Sequence, residues 1–87
     1  MKGIKYHALI IDYRDEYAES YILDSIYNFD SALAVCKAVV KHPNVRYVRG
    51  LLVELTKEYP DGGTIEDVCD IADIRAIVRK NRDFDLE

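Results

Sequence analysis

The chain has 87 residues, of which 49% are hydrophobic and 32% are charged. This length corresponds to one domain, residues 1–87, and the composition excludes a chain that is intrinsically disordered throughout. The net charge of −4 excludes a protein that is basic over its whole surface, which is a common property of nucleic-acid-binding domains.

The first third of the chain predicts a β-hairpin. Residues 4–13 and 20–29 are rich in Ile, Leu and Tyr, which favour strands. The polar residues 14–16 separate them, and such a short connection favours antiparallel pairing.

An amphipathic helix is predicted after this hairpin. Asp30 is the predicted N-cap, because its carboxylate can accept free backbone N–H groups of the first turn. Apolar residues recur at helical spacing over 32–40. His42 is predicted to end the helix, since a residue that precedes proline avoids the helical conformation.

The second half of the chain predicts a strand, a turn and a second helix. Residues 45–59 form the predicted strand, with a bulge at Gly50. Residues 60–63 form a turn. Thr64 then opens a predicted capping box, and the second helix extends to about Lys80. Residues 83–87 are expected to fray.

These elements predict an α+β fold with the order ββαβα. One helix packs on a three-stranded antiparallel sheet, and the second helix is C-terminal. A right-handed crossover would place the third strand beside the first. Leu9, Ile11 and either Leu23 or Ile22 supply apolar groups to the second face of the sheet. Either the second helix or another chain would cover that face, so we expect a homodimer or a partner-bound protein.

The histidines and cysteines do not form a recognisable site. His7, Cys36, His42 and Cys69 are isolated, whereas structural zinc sites use closely paired ligands. We therefore predict no metal, no cofactor and no enzymatic activity, with Cys36 in the core. A small enzymatic or ligand-binding domain at a homodimer interface, using Cys69 or His7, is one alternative. No signal peptide or membrane-spanning run is found, so a cytoplasmic protein is expected.

Acidic residues and tyrosines suggest a surface that binds another protein. Spaced carboxylates can imitate a phosphate backbone and occupy a basic groove. The candidate partner-binding residues are Asp12, Asp15, Glu16, Tyr17, Glu19, Tyr21, Glu66, Asp70 and Asp73.

A nucleic-acid-binding module is the other alternative, although direct binding is disfavoured by the net charge. Residues 41–60 carry four basic and two acidic groups, and the basic ones alternate with Tyr47. The candidate residues are Lys41, Arg46, Arg49 and Lys57.

The run 27–34, closed by His42-Pro43-Asn44-Val45, resembles a ββαβ pattern of small uncharacterised phage and mobile-element accessory proteins. The resemblance covers about residues 4–58 and carries over no functional residues. It implies a compact accessory protein that binds and inhibits a host factor. Together with the acidic residues, it suggests a phage-encoded inhibitor of a host nucleic-acid enzyme or of a defence complex such as CRISPR.

Overall fold

A computed structural model describes residues 3–12, 21–45, 50–82, 84 and 86. The described elements are β1 (Lys5–Asp12), β2 (Tyr21–Phe29), α1 (Ala32–Lys41), β3 (Leu51–Glu58), β4 (Thr64–Asp70) and α2 (Ile71–Arg79). The strands form one antiparallel sheet with the order β2-β1-β3-β4. The predicted α+β class is confirmed, and the predicted position of the third strand beside the first is also confirmed.

The predicted three-stranded sheet is wrong, because the first half of the predicted second helix is a fourth strand. Thr64–Asp70 pairs with β3 over its whole length, from Thr64 opposite Glu58 to Asp70 opposite Leu52. The predicted turn at 60–63 therefore closes a hairpin, with Tyr59 donating its N–H to the Gly63 carbonyl at 2.8 Å. Thr64 caps no helix, and Asp70 is the N-cap of α2.

Strand β2 contains two bulges that change which of its residues face the core. Pairing shifts by one residue between Tyr6 and Ala8, and again between Ile10 and Ile11, each time with the extra residue in β2. Every third residue then faces inward, so that Leu23, Ile26 and Phe29 pack against the core. Bulges of this kind also make an edge strand a poorer template for pairing with other chains.

The predicted N-cap of α1 is off by one residue. Ser31 is the cap, and its hydroxyl accepts the Ala34 N–H at 3.0 Å. Asp30 instead accepts a hydrogen bond from Lys5 Nζ at 2.8 Å. The predicted end of the helix is confirmed, since His42 is the C-cap with an extended backbone.

The third strand begins later than predicted. Val45 lies in a turn after α1 and is fully buried, and β3 begins only at Leu51. Gly50 has a φ of 76° and precedes the strand. β3 pairs with β1 residue by residue from Leu51 to Glu58. The predicted bulge at Gly50 depends also on residues 46–49, which fall outside the described residues.

A single core lies between one face of the sheet and both helices. Alternate residues of β1 and β3 supply the sheet side, and α1 and α2 supply the other side. The fully buried residues of this core include Ile10, Val35, Val39, Leu51, Val53, Leu55 and Ile74. Phe84 and Leu86 also pack against it, and Leu86 is only 3% exposed. The second face of the sheet is therefore left without a helix from the described part of the chain.

Candidate protein-binding surface

The uncovered face of the sheet is organised in rows, two of which cross all four strands and two of which cross β1, β3 and β4. Side chains alternate between the two faces of a strand, and directly paired residues share a face. Ala8 and Ile10 point into the core, so their neighbours in β1 point away from it. The rows are Ile22-Ile11-Leu52-Asp70, Ser25-Leu9-Glu54-Val68, His7-Thr56-Glu66 and Lys5-Glu58-Thr64. We call this surface the open sheet face.

Apolar side chains occupy five of the eight positions in the first two rows. Ile22 is 63% exposed and Val68 is 57% exposed, at opposite edges of the sheet. Leu9, Ile11 and Leu52 lie between them and are half-buried. The prediction that Leu9, Ile11 and Ile22 supply the second face is therefore confirmed. A contiguous apolar strip with exposed ends is a feature of surfaces that bind other molecules.

Carboxylates surround this apolar strip. Glu54 lies in the second row, directly opposite Val68, and Glu66 and Asp70 are exposed on β4. Glu58 is exposed near the end of β3. Lys5 is the basic residue of these rows, and its charge is paired with Asp30. The open sheet face consequently has an acidic character.

His7 has a structural role at the edge of this face. Its Nδ1 accepts the N–H of Asn28 at 3.1 Å, at a residue with a φ of 69° in the first bulge. Its Nε2 lies 3.5 Å from Glu58 Oε1, and its ring is 5.5 Å from that of Tyr27, which is 63% exposed. His7 therefore satisfies a backbone group that the bulge removes from the ladder.

The predicted acidic site is divided by the fold. Glu66 and Asp70 lie together on the open sheet face, whereas Asp12 is 3% exposed on the core face and contributes nothing to an exposed surface. Asp73 is exposed on α2, on the other side of the sheet. The predictions for Asp15, Glu16, Tyr17, Glu19 and the side chain of Tyr21 fall outside the described residues.

The predicted basic site is not brought together at its described positions. Lys5 binds Asp30, which lies just before α1, so Lys5 is near the N-terminal end of that helix. Lys5 also lies opposite Glu58 in the sheet, so the neighbouring residue Lys57 is close to the same end. Lys41 is at the other end of the helix, about 15 Å away for a helix of ten residues. Arg46 and Arg49 are outside the described residues.

The two cysteines differ in environment. Cys36 is fully buried in the core, as predicted. Cys69 is half-buried on β4, where burial and the negative charges of Asp67 and Asp73 raise the pKa of its thiol. A raised pKa reduces the thiolate fraction at neutral pH, which is the opposite of what a nucleophilic cysteine requires.

Two features have no candidate in the described part of the chain, a cluster of metal ligands and a membrane-spanning helix. No three His, Cys, Asp or Glu residues among those described lie close enough together to hold a metal ion. None of the described helices combines the length and the hydropathy needed to cross a bilayer. No protein-family model, curated protein or solved structure matches the chain.

Sequence reasoning did not identify Glu54 and Val68 as site residues. Their signal is the period of two in β3 and β4, which places Glu54 opposite Val68. That signal could be recognised only if residues 64–70 were assigned as a strand. The predicted helix over residues 64–80 instead places Val68 in a helical apolar stripe.

Proposed function

We propose that this protein is a non-enzymatic protein-binding module that docks a short, basic and partly apolar segment of a partner on the open sheet face. The observation that supports this proposal is the combination of an exposed apolar strip with surrounding carboxylates. Ile22 and Val68 would contact apolar side chains of the partner. Glu54 and Glu66 would pair with its Lys or Arg residues, whereas the Asp70 carboxylate accepts the Ala72 N–H at the start of α2.

The size of the face favours a short segment. Four strands spaced by about 4.8 Å and eight residues long at about 3.3 Å each give a surface of roughly 500 Å². A standard protein–protein interface buries about 800 Å² on each partner. The proposed interaction is therefore at the small end of the range, where charge complementarity contributes strongly to association rate and specificity.

Inhibition of a host nucleic-acid enzyme or defence complex is the wider role we propose for such binding. Basic segments line the nucleic-acid grooves of those proteins, and an acidic sheet face could occupy one in competition with the nucleic acid. Of the described residues first predicted for this role, Glu66 and Asp70 lie on the open sheet face. The phage origin suggested by the resemblance stays a prediction.

A comparative pull-down from the native host tests the proposal. Glu54→Lys with Glu66→Lys reverses the charge of the face, and Ile22→Thr with Val68→Thr removes exposed apolar surface while keeping β-branched side chains. Asp61→Lys is the control for charge, because Asp61 is exposed in the β3–β4 turn. Circular dichroism and urea unfolding establish that each variant is folded.

The expected result is a protein that the wild type and Asp61→Lys retain and that both face variants lose. Its retention should also fall as the salt concentration rises, because screening weakens exposed charge pairs. Equal retention by all four proteins, or retention of no protein by the wild type, would contradict the proposal.

A further inference from the structure

The two helices carry a charge opposite to that of the sheet. Residues 31–45 and 71–82, which include α1 and α2, contain six basic residues and one acidic residue. The described strands and their connections, residues 5–12, 21–30 and 51–70, contain two basic and nine acidic residues. Although the net charge of the chain is −4, the two helices form a basic surface. We call it the helix layer, and its basic residues are Lys37, Lys41, Arg75, Arg79, Lys80 and Arg82.

Two arginines of this layer, Arg75 and Arg79, lie on one flank of α2. They are four residues apart, which aligns them along the helix, whereas Arg82 lies beyond the end of α2, after Asn81 with a φ of 51°. Arg75 donates to the Val45 carbonyl at 3.2 Å, so this flank faces the end of α1. Asp73 lies on the other flank, where its charge acts on Cys69 of β4.

Most of these cations have no ion pair within the described residues, which do not include Asp83, Asp85 and Glu87. Arg79, Lys80 and Arg82 are exposed, as is Lys41 on α1. In the described part of the chain, neither these four residues nor Lys37 take part in an ion pair. The acidic open sheet face lies on the other side of a molecule whose shortest dimension is 21 Å, whereas the Debye length at physiological salt is about 8 Å.

The character of the layer favours one class of anionic partner. A helix that inserts into an anionic membrane surface needs an exposed apolar face, but the large exposed apolar residues of the described chain, Ile22, Tyr27 and Val68, are all on the strands. A single-stranded nucleic acid would require aromatic stacking platforms, and α1 and α2 contain no aromatic residue. The guanidinium group of arginine binds a phosphate through paired hydrogen bonds, and this needs no aromatic side chain. The helix layer therefore favours the phosphates of a duplex.

We propose that the helix layer binds the phosphate backbone of duplex nucleic acid without sequence preference. This function uses a surface opposite to the open sheet face and is independent of the protein-binding role. The proposed residues differ from those first predicted to bind nucleic acid, because Lys41 is the one residue common to both sets. Arg79 and Arg82 are the principal phosphate contacts, with Lys37 and Lys41 contributing from α1.

Fluorescence anisotropy with a labelled 20-base-pair DNA duplex tests this proposal on the full chain. The wild type should bind at 25 mM salt and weaken steeply at 150 mM, because each phosphate contact contributes about 0.9 to the slope of log K against log salt. Arg79→Glu with Arg82→Glu should weaken binding at least tenfold. Arg79→Gln with Arg82→Gln should flatten the salt slope by roughly 2, since two contacts are removed.

The control variant is Lys5→Glu with Lys57→Glu, which changes the net charge by the same amount on the strands. It should lose no more than about twofold in affinity. An equal loss in the control would show that total charge matters rather than the helix layer, and would overturn the proposal. Absence of binding by the wild type at 100 μM protein and 25 mM salt would also overturn it, as would equal or tighter binding to poly-glutamate or to phosphatidylserine vesicles.

Discussion

Asp30 and Ser31 are adjacent residues that can both cap a helix, and the fold uses the second. Both side chains have an oxygen that accepts a backbone N–H, so their types alone do not decide between them. In the fold Ser31 accepts the Ala34 N–H, while the ammonium group of Lys5 binds Asp30 and lowers the pKa of that carboxyl. This contact spans 25 positions in the sequence and could not be predicted from the local pattern.

Ser31→Ala should therefore destabilise the protein by about 1 kcal/mol, because the Ala34 N–H loses its partner. Asp30→Ala should cost less, since it removes only an exposed ion pair. Urea unfolding of the two variants measures the difference. A larger loss for Asp30→Ala would contradict the assignment of Ser31 as the cap.

Asp24 ties β2 to the end of α1 and should make stability depend on pH. His42 Nε2 lies 2.7 Å from Asp24 Oδ2, and this hydrogen bond, with a second from the Ser25 N–H, lowers the pKa of Asp24 below 3.8. A carboxyl with a depressed pKa in the folded state stabilises the protein above its ordinary pKa. That contribution is lost as the pH falls through the lower, folded value.

The stability difference between the wild type and Asp24→Asn should thus shrink as the pH falls below 3.8. Urea midpoints between pH 6 and pH 2 measure it. Ser31→Ala is the matched control, because the hydrogen bond that it removes does not titrate. A difference for Asp24→Asn that stays constant over the whole range would exclude this linkage.

At the scale of elements, the sequence predicts the first hairpin, α1 and β3. It does not predict that residues 64–70, the first half of the predicted second helix, form a strand. Residues 64–80 contain apolar positions that fit a helical period throughout, and residues 64–70 do not alternate between apolar and polar residues as a half-buried strand would. The preference for a strand comes from pairing with β3, a tertiary contact. The remaining helix has nine residues, too few to be stable alone, and depends on burial of Ile71 and Ile74.

Amide hydrogen exchange should distinguish the two structures of this segment. In an antiparallel edge strand alternate N–H groups point to the neighbouring strand and the others point to solvent. Amides over 64–70 should therefore alternate between slow and fast exchange, and protection over the last turn of α2 should be continuous. The hairpin amides of β1 serve as an internal control, because this central strand pairs on both sides. Continuous protection across 66–79 would indicate one long helix instead.

At the scale of the whole molecule, the fold separates charges that are mixed along the chain. Acidic residues concentrate on the strands and basic residues on the helices. The sequence shows each local excess, but the position of β4 decides that Glu66 and Asp70 join Glu54 on one face. The predicted homodimer depends on the same face, because its apolar strip is available for a second copy.

Salt should affect pairing of two copies and binding of a basic segment in opposite directions. Two open sheet faces in contact would oppose carboxylates to carboxylates, so the predicted homodimer should strengthen between 50 mM and 1 M NaCl as the repulsion is screened. Glu54→Gln with Glu66→Gln should produce the dimer already at low salt, and Val68→Thr should weaken it at every salt concentration. Light scattering coupled to size exclusion gives the mass in each case. A dimer that dissociates as salt rises, or that Val68→Thr leaves intact, would place the contact between copies on another surface and leave the open sheet face to the basic partner.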